Sequence, residues 1–292
     1  MLFLIQQAGC YVDPNFILGK TMEMSQSYCY LGLELTCSGS FKTARSNLID
    51  KAKKAMFPLW KILVQAKLSC SQAIKLFETL ISPIALYNAE NLAHLTLREI
   101  ESIKQNKVSF LDLMNKSYSS VLHQRFLKFI LGINKSCTNM ATLGELGEFP
   151  LHVKGVTALL SFWHRVTQMP DDTLVKQAYK YSLENVSFQS EWIASVKFLL
   201  QYLGLENYFR NPSAVNKNQF KTVCKAKLKE IIVEQWDMYM DNIGDGNKLR
   251  FYKTFKNHFG RESYLDLVTD FQLRKILTKF RCSDHKLEIE KG

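Results

Sequence analysis

FKTARSNLIDKAKKAMFPLWKI, residues 41–62, decides the fold class. Ala44, Leu48, Ala52, Ala55, Leu59 and Ile62 recur every three or four positions, which puts them on one face of a helix. Lys42, Lys51, Lys53, Lys54 and Lys61 fall outside that stripe. Ser40 stands where an N-cap is needed, so the helix is expected to begin near Phe41. Pro58 lies inside the pattern and has no amide to bond the Lys54 carbonyl, which predicts a kink or an early stop there.

Downstream, the periodicity stays helical. Segments are expected at about 72–90, with Pro83 inside, and at 96–113, 118–131, 138–146 and 152–168. Others follow at 173–183, 190–203, 216–240, 247–257 and 263–280. Upstream, the signals change to strand: Phe16–Leu18, a Gly19-Lys20 turn, Met22–Met24, then Tyr28–Leu35, broken off by Thr36, Ser38, Gly39 and Ser40. The expectation is a mainly α protein: a small N-terminal antiparallel β-meander over 1–40, then two irregular helical lobes. Met169-Pro-Asp-Asp172 reads as the hinge between a lobe at 41–168 and one at 169–270, with 271–292 as a C-terminal extension. There is no fixed-period repeat and no low-complexity tract.

The chain has 292 residues, 47% of them hydrophobic, enough for a substantial core. Thirty-eight Lys and Arg against 27 Asp and Glu give a net charge of +11, which suits an acidic partner such as nucleic acid or an anionic surface. The surplus is spread over several segments, so a basic protein without such a partner fits the charge equally. Met1–Ile5 is too short for a signal-peptide core, and no apolar run approaches the length of a membrane span. An intracellular protein, cytoplasmic or nuclear, with no membrane partner is expected. Seven cysteines at wide spacings form no secreted disulfide framework.

The sequence contains no Walker-type loop, no G-x-S-x-G, no H-E-x-x-H and no C-x-x-C. Gly244-Asp-Gly246 lacks the third glycine of a dinucleotide fingerprint and reads as a turn. Asp171-Asp172 is the one adjacent carboxylate pair. It follows Met169-Pro170 and precedes a helical pattern, which suits capping better than a metal held on a strand turn. Cys282 and His285 are separated like metal ligands but supply two donors where a structural zinc needs four. No catalytic residues, no metal ligands and no cofactor are expected.

Four stretches carry a family resemblance. YLGLELTCSGSFK (30–42) resembles the primer-grip hairpin of LINE-type (non-LTR) retrotransposon reverse transcriptases, where a Y-L-G strand leads into the first thumb helix. LISPIALYNAE (80–90) is similar to that family's proline-bearing helix ending in Leu-Tyr-Gly and Glu, with Asn88 in place of the glycine. FLKFILGINKSCTNMATLGELGEFPL (126–151) matches the helix, polar loop, L-G-E-L-G and aromatic-proline order of the thumb and connection region. FQLRKILTKFRCSDHKLEIEKG (271–292) resembles the lead-in to the family's C-terminal Cys/His zinc module. Residues 152–270 match only in helical character.

The resemblance implies a piece from the back of such a polymerase, without the family's aromatic-Ala-Asp-Asp turn and therefore not an enzyme by itself. The expected role is template–primer binding, with RNA or an RNA–DNA duplex as partner. Tyr30, Leu31 and Gly32 would form the grip, although so apolar a strand equally suits a buried core. Lys42, Arg45, Lys53 and Lys54 would face phosphates, where the alternative is a solvated helix face. Between Phe41 and Lys75 eight basic residues stand against Asp50, a surplus of seven. The competing readings are a helical protein–protein interaction module and a non-functional remnant of a decayed element.

Overall fold

The computed structural model describes residues 26–36, 40–66, 68–184, 190–244 and 246–285. Within them the chain is mainly α, with a single two-stranded antiparallel sheet ahead of the helices. Strands β1 (Ser27–Tyr30) and β2 (Leu33–Thr36) pair with Tyr30 opposite Leu33, leaving Leu31 and Gly32 as a two-residue turn. Both have positive φ, 47° and 79°, the geometry whose twist matches that of the flanking strands. Glycine adopts it freely. Leu31 does so at a cost of about 1–2 kcal/mol, and its carbonyl accepts a 2.7 Å bond from the Tyr87 hydroxyl. The other expected strands, Phe16–Leu18 and Met22–Met24, lie outside the described residues.

Helix α1 (Lys42–Ala66) runs through Pro58 without stopping and buries Ala44, Leu48, Ile49, Ala52, Met56 and Leu59. The expected early stop fails for a physical reason. Pro58 and Lys54 are both on the exposed side, where water can replace the lost amide donor. Ile62, assigned to the buried stripe by its spacing, is 46% exposed because the end of the helix outruns the core.

α2 (Cys70–Leu80) opens on a capping box in which Gln72 N donates to Ser69 Oγ and Ser69 N donates to Gln72 Oε1. The helix expected to continue to residue 90 breaks into α3 (Ser82–Ala85) and α4 (Ala89–Leu92). Asn88 between them has φ 53°, a conformation asparagine tolerates where glycine is the usual choice. The expected helix at 96–113 is likewise two, α5 (Leu97–Lys104) and α6 (Phe110–Lys116), separated at Asn106, φ 53°. α7 (Tyr118–Leu131), α8 (Asn139–Leu146) and α9 (His152–Thr167) lie where the periodicity puts them.

Then come α10 (Leu174–Glu184), α11 (Glu191–Tyr202), α12 (Glu206–Arg210) and α13 (Lys217–Asp241), followed by α14 (Arg250–Phe255), α15 (Tyr264–Leu267) and α16 (Phe271–Arg281). The last two divide the single helix expected at 263–280, and Asp270 caps the second through Leu273 N at 2.8 Å.

One set of mutually packed buried side chains extends from Ile49 to Cys282. α9 lies at its centre, against α4 on one side and α13 on the other. Trp163 on α9 stacks on Phe209, ring centroids 5.7 Å apart, and meets Phe220 of α13 at 5.8 Å. The turn at residues 169–172 therefore joins helices that share this core. A smaller cluster of Leu33, Ala44, Leu48 and Leu92 fastens the hairpin to α1 and α4.

Candidate nucleic-acid interface

The hairpin presents its side chains unequally. β2 buries Leu33, whereas Tyr28 is 66%, Tyr30 44% and Leu31 73% exposed. Of the two readings of the Tyr30-Leu31-Gly32 strand, the buried-core one is thus overturned: pleating sends Leu33 inward and the turn carries Leu31 outward. The tip is fixed to the helical body at two points. Tyr87 holds the Leu31 carbonyl, and Lys51 Nζ on α1 donates to the Gly32 carbonyl at 3.4 Å. Exposed aromatic rings therefore stand beside a lysine-bearing helix face.

On α1, Lys42, Lys53, Lys54 and Lys61 are exposed. Lys53 pairs with Asp50 at 2.8 Å, which offsets its charge locally. Arg45 departs from expectation. It points to the buried side of α1, where desolvation holds its guanidinium below the ordinary value against the opposing pull of Glu99 and Glu191. Its position seven residues before Ala52 and four before Ile49 is a buried-face spacing, so the inward direction follows from helical geometry. Arg45 does not line up with the outward lysines. Sequence reasoning missed Lys51 and Tyr87 as the pair that fixes the hairpin; Tyr87 lies in the Leu-Tyr of the 80–90 stretch, the one signal that pointed there.

Around Arg45, burial keeps His94 below its ordinary value and holds His152 down at about 4, so both rings are neutral near pH 7. Asp171 is exposed and bonded to Lys180 at 2.8 Å, which lowers its carboxyl. Among the described residues no group of three or more His, Cys, Asp or Glu is placed to hold a metal.

Cys282 is buried at the end of α16, and its neighbour is Cys137, whose Sγ lies 3.8 Å from the Cys282 carbonyl oxygen. The proximity of the two side chains lowers Cys137 and, together with burial, raises Cys282. A cavity of about 430 Å³ adjoins them, lined also by Asn134, Asp284 and His285.

In Leu143-Gly-Glu-Leu-Gly147 the first four residues are buried and Gly147 is half-buried. A Cβ on Gly144 would stand 2.7 Å from Trp236 and from the Tyr252 hydroxyl, and one on Gly147 would stand 2.5 Å from the Arg261 amide nitrogen. Glu145, with no exposed surface, accepts from Arg281 Nε at 3.1 Å and Nη2 at 3.0 Å and from the Tyr264 hydroxyl at 2.7 Å. Arg281 also reaches Glu262 at 2.8 Å, and Glu262 accepts from the buried Lys256 at 2.5 Å. Two acids and two bases thus neutralise one another inside the fold.

No family model matches this chain, and neither do any curated protein or any solved structure. Among the described residues no helix is long and apolar enough to cross a membrane.

Proposed function

We propose that the chain binds nucleic-acid duplex, RNA or RNA–DNA, through the outward face of α1 and the hairpin tip beside it. The observation that carries this reading is the bond from Lys51 to the Gly32 carbonyl, which ties the hairpin with its exposed Tyr28 and Tyr30 to α1, a helix on which Lys42, Lys54 and Lys61 are also exposed. Lysines supply phosphate contacts and aromatic rings supply stacking surface at a strand end. The net charge of +11 acts in the same direction at longer range. So does the resemblance of the 30–42 stretch to a LINE-type primer grip. In this role the chain holds the template and primer while carboxylates supplied by another segment carry out polymerisation.

With Arg45 turned inward and Lys53 paired to Asp50, Lys42, Lys51, Lys54 and Lys61 remain for phosphates. Four such contacts release about four counterions, so affinity should fall roughly a hundredfold between 50 and 200 mM salt. Binding should depend little on sequence, because side chains cannot read the deep, narrow major groove of an A-form duplex. Fluorescence anisotropy on a labelled RNA–DNA duplex across a salt series tests this. Lys54→Glu with Lys61→Glu should weaken binding to all sequences alike and flatten the salt slope by about two. A double variant with the wild-type slope would end the assignment.

The protein-interaction reading is favoured by a different observation, the outward apolar row of Leu273, Ile276 and Phe280 on α16, 62%, 64% and 51% exposed. It predicts weak duplex binding that the lysine reversals leave unchanged.

A further inference from the structure

Midway along α1 stands a large aromatic residue that the core does not take up. Met56 and Leu59 beside it are buried, while Phe57 is 63% exposed. Its ring meets that of Trp60, half-buried one turn further on, edge to face with centroids 5.5 Å apart. Trp60 in turn lies 5.8 Å from Phe129, which projects from α7 with 39% of its surface exposed. Three rings therefore form a row across two helices, and both ends of the row are open to solvent. A single exposed apolar side chain needs no explanation. A row of three, held in place through Trp60, calls for one.

Helical spacing sets what surrounds these rings. Lys54 is three residues before Phe57 and Lys61 four after it, the offsets at which side chains on a helix are neighbours, and both lysines are exposed. On α7 the exposed Arg125 precedes Phe129 by four residues and takes the same place beside that ring. Negative charge is scarce on the two helices. The one acid of α1, Asp50, is paired to Lys53 at 2.8 Å, and α7 has none. His123 of α7, held down at about 3 by burial, is neutral near pH 7.

An aromatic ring between two cations selects among partners. An apolar protein surface laid over Phe57 would draw Lys54 and Lys61 out of water without pairing them, which is costly. A nucleic-acid strand offers both complements at once, a flat base for the ring and phosphates for the lysines. The lengths agree as well. Lys54 and Lys61 are seven residues apart, about 10.5 Å along the helix axis, and a stacked strand covers that distance in about three nucleotides at roughly 3.4 Å each. A base inside a duplex cannot reach the ring, because its neighbours cover both its faces. An unpaired one can.

We propose that Phe57, supported by Trp60 and Phe129, is a stacking platform for an unpaired base, with Lys54 and Lys61 on the phosphates to either side and no preference among the four bases. It rests on the duplex reading only for the placement of α1 against nucleic acid, and it extends that reading to the single strand that continues beyond the duplex.

Fluorescence anisotropy of the full chain tests this with a blunt RNA–DNA duplex, the same duplex with a short single-stranded extension, and that duplex with an abasic extension, in which the phosphates remain and the bases are gone. The extension with bases should bind about tenfold tighter than the abasic one, the share expected of one stacked base. Phe57→Leu keeps an apolar side chain without the flat ring. It should abolish that difference and leave the blunt duplex bound as before, while Phe57→Tyr should preserve the difference; circular dichroism checks that both fold. Equal binding of the two extensions by the wild-type chain overturns the proposal, as does a difference that survives Phe57→Leu. If the blunt duplex fails to bind, the duplex reading ends, and the same comparison on free single strands, with bases and abasic, decides this one. A wild-type dimer in sedimentation that Phe57→Lys renders monomeric would make the row of rings an interface between copies and would also overturn the proposal.

Discussion

Removing the Glu145 carboxylate should be among the most damaging single changes in the protein. Glu145 has no exposed surface and accepts three donors, two from Arg281 and one from Tyr264. Glu145→Ala leaves Arg281, whose side chain is 13% exposed, with Glu262 alone and converts a neutral four-charge cluster into one of net +1. Breaking a buried pair from one side costs about 3–5 kcal/mol, chiefly the penalty of the charge left behind. Arg281→Met should cost a similar amount by stranding Glu145. Glu145→Leu combined with Arg281→Met removes both charges and keeps the Lys256–Glu262 pair at 2.5 Å, so its cost should be far below the sum of the single losses. Urea unfolding followed by tryptophan fluorescence measures all three. A loss under about 1 kcal/mol for Glu145→Ala, or simple additivity in the double variant, would refute the reasoning.

Acid should destabilise the fold between pH 6.5 and 4. Burial lowers His123 from 6.5 to about 3 and His152 to about 4, so the folded state excludes protons that the unfolded chain takes up. Each histidine contributes stability that is complete above 6.5 and is lost on acidification at about 1.4 kcal/mol per pH unit; His123→Phe, measured by urea midpoints against pH, should remove one such share. Glu148 acts with the opposite sign. Burial and nearby Glu78 raise it from 4.5 to about 7, so its contribution is complete below 4.5 and lost as pH rises through 7. Glu148→Gln should therefore steepen the slope between 4.5 and 6.5 and raise stability at pH 8 by about 2–3 kcal/mol. Gly147→Ala and Gly204→Ala share a positive φ, 64° and 67°, but only the first meets a backbone atom, at 2.5 Å; in thermal melts the first should cost at least about 2 kcal/mol and the second about 1.

Most of the helices were legible because each buries one stripe and the stripe has a period. Two of the boundaries that failed share one cause. At Asn88 and Asn106 the chain adopts a left-handed conformation that asparagine permits and periodicity does not register. At Pro58 the expectation is a kink or an early stop, and the stop does not occur, because the rule about lost hydrogen bonds applies fully only where water cannot replace the donor, and Pro58 is exposed. The candidate interface was half legible. Helical spacing identified the outward lysines, yet the same spacing placed Arg45 on the inner face. Charge alone drew it into the wrong group. The link from Lys51 to Gly32 and the link from Tyr87 to Leu31 join residues 19 and 56 positions apart, and no local pattern encodes such contacts.

The strongest motif in the sequence and the strongest candidate surface prove to be different parts of the molecule. Gly144 makes room for Trp236 and Tyr252, Glu145 anchors the buried ion cluster, and Gly147 turns the chain against Arg261. All three are consumed by packing, so these residues serve the scaffold and not a binding surface. The binding reading depends on α1 and the hairpin, whose lysines and tyrosines are exposed and contribute little to the core. The two sets of variants should therefore separate cleanly. Substitutions at 144, 145 and 147 lower stability while the surviving folded fraction keeps its salt slope, and reversals at Lys54 and Lys61 flatten that slope at unchanged stability. If a packing variant at 145 altered the slope of properly folded protein, the motif would be touching the ligand after all, and the division between scaffold and surface drawn from its burial would be wrong.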